Sequence, residues 1–276
     1  MNNSNNRSNV REGTLKGGLH YLAEGSGPSL VMFNTVTPSY KNPTGVARWA
    51  ARRFIRPLTQ KFTVYMIGRR PGLSIGTTMA DIAADYAQAI VDEFKGDAVT
   101  VLGVSTGGSI ALQFAADYPE LVHKLALAAT AYRLGPIGRD VQRRYAALLA
   151  SGDSQRAFMS LAPAITDSRI GQWFWGGFLW LFASLTRIED PSGMVAMLMA
   201  EDAFDLGNRL NEITAPTLLI GGDRDCNYSP DLMKQTAERI QHARLIMYQG
   251  HRHSETLTDR RFYRDTIAFL TDEHAI

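Results

Sequence analysis

A rhythm constrains this chain more than any other feature: short apolar runs alternate with helical patterns, and the alternation breaks once. The runs at 19–24, 29–34, 61–67, 98–102, 121–130, 216–222 and 244–248 read as strands. Leu30-Val31-Met32-Phe33 is continuously apolar, as a strand covered on both faces must be. The segments 46–58, 77–94, 109–116, 230–240 and 259–270 carry helical spacing; in 77–94, Ile82, Tyr86, Ala89 and Ile90 repeat at three and four. Strands and helices in alternation pack as a mostly parallel, twisted sheet flanked by helices, an α/β architecture. The rhythm stops after Thr130 and resumes at Pro216, with helical patterns between. That stretch is expected to be an insertion over the carboxyl ends of the strands, where open α/β sheets bind ligands. The expected organisation is a disordered tail at 1–12, a core at 13–130 and 214–276, and a helical cap at 131–213.

Composition narrows the function classes. Of 276 residues 45% are apolar, enough to bury a large core. A net charge of +2 names no acidic partner, and the scattered Lys and Arg argue against nucleic acid. One cysteine, Cys226, leaves no internal disulfide and fits a reducing compartment. The first ten residues, MNNSNNRSNV, lack the apolar segment of a secretory leader, and no run reaches membrane-spanning length. The expected location is the cytoplasm. No metal or cofactor motif stands out, so none is expected.

The chemistry concentrates at Gly103-Val104-Ser105-Thr106-Gly107, followed by Gly108. A β-branched apolar run leads in and a helical pattern leads out, the context in which G-x-S-x-G presents an exposed serine hydroxyl. Glycines two residues either side allow close backbone approach, and the turn aims the Thr106 amide and the helix N-terminus above Ser105. A serine hydroxyl is a weak nucleophile and needs a base, which in turn needs an orienting group. Downstream, one loop carries Asp223 and Asp225, and the next carries His251 and His253. Both leave the same sheet edge as the serine turn, in the order Ser, Asp, His.

With these motifs the chain resembles the α/β-hydrolase fold, in its ester-hydrolysing, capped form, over roughly residues 13 to 273. The motifs are the serine turn, G-x-x-D at 222–225, Gly-His at 250–251, and the GRRPGLS loop at 68–74. The resemblance implies a nucleophile at Ser105, an acid at Asp225 and a base at His251, with Asp223 and His253 as competitors. It also implies oxyanion donors at the amides of Thr106 and Val36. The family's His-Gly after the Phe33 strand is Asn34-Thr35 here, and Asn34, Thr35 and Thr37 offer side-chain donors instead.

In the insertion, 170–182 holds three of the four tryptophans and no charge. So much aromatic area in water would exceed the largest apolar patch of an ordinary monomer. One reading is a pocket roof, with Trp173, Trp175 and Phe178 joining Asn34 in contact with substrate. Others are a lipid-facing lid between Arg169 and Arg187, a dimer contact through the cap, and plain cap core. The expected activity is cofactor-independent hydrolysis of carboxylic esters with an apolar acyl or alcohol part, without stable membrane insertion. Lactone, thioester, amide or C–C bond hydrolysis on the same three residues is the alternative, as is a weakly active, receptor-like member of the fold.

Overall fold

The computed structural model describes residues 9–34, 36–166, 168–185 and 188–272. Most of the tail expected at 1–12 lies outside them, as do Thr35 and Arg187. The tail's last two residues belong to a strand. Arg11–Thr14 (β1) pairs antiparallel with His20–Gly25 (β2), Arg11 opposite Ala23. This strand escaped hydrophobic patterning because REGT is a polar edge; Arg11 holds it down by donating to the Tyr65 hydroxyl at 2.9 Å.

The chain continues through Ser29–Phe33 (β3), Gly45–Ile55 (α1), Thr63–Ile67 (β4), Met79–Phe94 (α2), Val99–Val104 (β5), Thr106–Asp117 (α3) and Val122–Ala128 (β6). The insertion follows as Pro136–Ala150 (α4), Ser154–Met159 (α5), Ala162–Ile165 (α6), Arg169–Leu185 (α7) and Pro191–Ala203 (α8). Thr217–Gly222 (β7), Pro230–Arg239 (α9), Ala243–Tyr248 (β8), His253–Thr258 (α10) and Arg260–Thr271 (α11) complete the fold. The sheet has eight strands in the order β1-β2-β4-β3-β5-β6-β7-β8. Its first two pairings are antiparallel and the rest parallel.

Both faces are buried. Phe33, Tyr86, Ile110 and Phe114 fill one side, and Leu30, Ile55, Leu102 and Phe262 the other. Local chemistry sets the helix ends. Thr78 and Asp81 form a capping box on α2, and Lys95 in the left-handed region ends it. The insertion has its own core of Tyr145, Leu149, Phe158, Met194 and Leu198. It is pinned to the sheet by a buried ion pair, Arg69 after β4 to Asp190 at the start of α8, at 2.8 Å. Among the described residues no helix is long and apolar enough to cross a membrane.

Candidate active site

Ser105 sits between β5 and α3 with φ 52° and ψ −126°, a conformation few non-glycine residues adopt. Three neighbours must be glycine for the turn to form. A Cβ on Gly103 would come within 2.7 Å of Ala111 Cβ, one on Gly107 would collide with the Phe33 carbonyl, and one on Gly108 with Thr130. The turn is held by the Ser105 N–H donating to the Ala128 carbonyl at 2.9 Å and the Gly108 N–H to the Ser105 carbonyl at 2.7 Å. Thr106 is the first residue of α3, so its N–H has no intrahelical acceptor.

The structure brings His253, not His251, to Ser105. His253 Nε2 lies 3.0 Å from Ser105 Oγ, and its Nδ1 lies 2.7 Å from Asp225 Oδ2. A carboxylate can only accept, so Nδ1–H donates to Asp225 and Nε2 is left to accept from the serine. Tyr228 stacks on the His253 ring at 6.0 Å and 19° between planes. Asp225 is 3% exposed, and its Oδ1 accepts from the amides of Asn227 at 2.8 Å and Tyr228 at 3.1 Å. Asp223 takes a different part, accepting from the Gly250 amide at 2.6 Å and tying the two loops together.

His251 points elsewhere for a backbone reason. Its carbonyl accepts from the Arg224 N–H at 2.9 Å, directly above Gly222, where any Cβ would collide with it. With the backbone packed inward, the ring turns out toward α11. There Nε2 meets Asp259 Oδ2 at 2.8 Å while Nδ1 meets the Gln249 carbonyl at 2.9 Å. Arg261 and the His251 ring together hold the Asp259 carboxyl well below the usual carboxylate range, Arg261 contributing most. Two residues further on, α10 begins, and its first residue faces the serine. The Gly-His pair was a misleading signal, because Gly250, at φ 76°, makes the turn without delivering the next side chain to the site.

A second set of groups lies beneath the serine turn, and no sequence pattern pointed to it. Glu201, on α8 and 1% exposed, accepts from Thr106 Oγ1 at 2.8 Å, Ser109 Oγ at 3.0 Å and the Tyr228 hydroxyl at 2.5 Å. Burial pushes the Glu201 carboxyl up from its ordinary value, against the pull of those donors. Burial, then the adjacent Glu201, likewise raises the Tyr228 phenol well above its ordinary value. Glu201 is 95 positions from Thr106 in the chain, so only the tertiary fold makes them neighbours.

Above Ser105 opens a cavity of about 370 Å³, at the small end of ligand pockets. Val36, Leu134, Val141, Tyr145, Phe158 and Leu198 give it an apolar wall, while Gln142, Asn227 and His253 supply polar atoms. Val36 lines it together with Ser105 and Thr106. Asn34 is not part of the wall; its amide is bound to the Ile67 carbonyl at 3.1 Å, which keeps that residue in line with the sheet. The Thr37 hydroxyl donates to the Ser39 carbonyl at 2.7 Å. Trp173, Trp175 and Phe178 do not reach the cavity either. Helix α7 packs on α5, which stands between α7 and Ser105, and the three rings face outward, Trp173 being 82% exposed. Met194 and Leu198 line the cavity, whereas Met199 turns to solvent. Among the described residues no three His, Cys, Asp or Glu side chains are grouped to hold a metal ion.

Residues 43–265 match the model of the alpha/beta hydrolase family. The poly(3-hydroxyalkanoate) depolymerase of Ectopseudomonas oleovorans is 32% identical over 66% of this chain and 61% of its own. A pimeloyl-[acyl-carrier protein] methyl ester esterase of Neisseria meningitidis is 27% identical over 69% of this chain and 66% of its own. The chain thus spans just under two thirds of the length of these two relatives. Among solved structures, the enol-lactonase from Burkholderia xenovorans superposes with a TM-score of 0.71, over 95% of this chain and all of the other, at 22% identity. That level of identity speaks to the fold.

Proposed function

Because the chain belongs to the alpha/beta hydrolase family and is similar to hydrolases that include esterases, we propose that it is a serine hydrolase of carboxylic esters with an apolar acyl or alcohol part. The reading is carried by one observation: His253 bridges Ser105 at 3.0 Å and Asp225 at 2.7 Å.

In this mechanism Ser105 Oγ attacks the ester carbonyl carbon while His253 Nε2 takes the hydroxyl proton. The C=O electrons move onto oxygen, and the amides of Thr106 and Val36 hold the resulting oxyanion. The tetrahedral species collapses, the alkoxide leaves, and His253 returns the proton to it. Water then attacks the acyl-enzyme with the same base, releasing the acid and restoring Ser105. Asp225 keeps the proton on Nδ1 and stabilises the imidazolium as it forms. Tyr228, stacked on the ring, limits its rotation. The apolar wall of the cavity favours an uncharged acyl or alcohol group of modest size, and the similarity to a poly(3-hydroxyalkanoate) depolymerase and a methyl ester esterase is compatible with ester chemistry.

The test is a p-nitrophenyl ester panel, acetate to octanoate, on wild type and Ser105→Ala, with fluorophosphonate labelling of the wild type. Turnover that needs Ser105, together with a label on that residue, is the expected result. Absence of Ser105-dependent release at every chain length rejects the esterase reading.

A further inference from the structure

Helix α7 turns most of its large apolar residues outward, and Leu179 packs partly inward. Gly176 and Ala183 are buried against the rest of the cap, and a Cβ on Gly176 would lie 3.1 Å from Met159 Cγ on α5. Ile170, Trp173, Phe174, Phe178, Trp180 and Leu181 are exposed, Ile170 and Trp173 each at 82% and Phe174 at 64%. A helix stabilised only by the core of its own molecule has the reverse arrangement. From 170 to 185 the sequence has no charged residue. The groove that α7 forms with α4 and α5, about 1400 Å³, is edged by Arg144, Arg156 and Arg169, and among the described residues no carboxylate lines it. Arg156 pairs with Asp153 at 3.5 Å; Arg144 and Arg169 have no ion-pair partner among the described residues.

We propose that this face docks the protein on anionic phospholipid surfaces, with α7 lying in the plane of the interface and the arginines on the lipid phosphates. Charge selects the occupant. A second copy meeting the same patch about a two-fold axis would add three more arginines with, among the described residues, only Asp153 paired to one of them; a layer of anionic headgroups supplies the missing charge. Tryptophan beside aliphatic residues suits the headgroup boundary, where an amphipathic helix buries its apolar face without spanning. At 17 residues, α7 is short for a crossing. Docking would also orient the site: Phe158 of α5 lines the Ser105 cavity, and its neighbour Met159 lines the groove.

Co-sedimentation of the full chain with phosphatidylcholine vesicles, with and without phosphatidylglycerol, tests this without reference to turnover. Binding is expected on the anionic vesicles, to weaken with added salt, and to be far weaker on phosphatidylcholine alone. Trp173→Ser with Phe174→Ser lowers the partition coefficient about tenfold or more. Arg144→Gln and Arg169→Gln each lower it about fivefold on anionic vesicles only. These side chains are exposed, so thermal melting monitored by circular dichroism stays at the wild-type midpoint, and Ser105→Ala binds as wild type does. The proposal is overturned by no binding to anionic vesicles, by equal binding to both kinds, or by variants that bind unchanged. A lipid-independent dimer in sedimentation velocity, broken by the same variants and without vesicle binding, assigns the face to a second copy and overturns it too.

Discussion

The hydroxyl of Thr106, the residue directly after Ser105, donates to Glu201 on α8 at 2.8 Å. The same carboxyl receives the hydroxyl of Tyr228, whose ring lies along His253. One buried side chain from α8 thus reaches both the start of α3 and the platform of the histidine. The insertion contributes side chains beneath the serine turn as well as to the cavity wall.

Glu201 has a pH signature with a definite sign. Folding raises its pKa, mainly through burial, so the folded state holds this proton more tightly than the unfolded chain. The stability it lends is full below the unfolded value of about 4.3 and is lost as pH rises through the folded value. Glu201→Gln removes that titration, so its stability relative to wild type should improve as pH climbs from about 4.3 toward the folded value and level off above it. Glu201→Ala instead strands three hydroxyls and leaves a void, costing about 2–4 kcal/mol at every pH. Urea unfolding across a pH series reads both; a Gln-minus-wild-type difference flat with pH contradicts the assignment.

The two histidines separate cleanly by kinetics. His253→Ala is expected to cut kcat on the best ester by about a thousandfold or more, since base and nucleophile act as a unit. His251→Ala should keep turnover and lose only about 1 kcal/mol of stability, the worth of its link to Asp259. The reverse ranking would return the base to the Gly-His position.

Cavity shape should set chain-length preference. Val141 and Leu198 face the space above Ser105. Val141→Phe fills it and should lower kcat/KM for octanoate far more than for acetate. Leu198→Ala should move the optimum to longer chains, at a cost of about 2–4 kcal/mol in stability. Equal effects across the ester panel would mean that the acyl group lies elsewhere.

The strand–helix alternation and the glycines around Ser105 were legible in the linear chain because they are local: period, turn chemistry and a close backbone approach each involve residues a few positions apart. The acid loop was legible for the same reason, and Asp225 does face the site. Besides the Glu201 contacts, three features were not legible. The polar edge strand β1 is held by pairing and by Arg11 rather than by its own pattern. The outward face of α7 depends on which side of an apolar helix meets α5, and a helix apolar all round carries no such preference in its sequence. The choice between His251 and His253 depends on where a loop backbone packs. Local sequence determined that a histidine would follow β8 and an aspartate β7; only the contact of residue 251 with Gly222 and Arg224 decided which histidine ring meets Ser105, because two residues in a turn reverse the direction of a side chain without altering the motif around it.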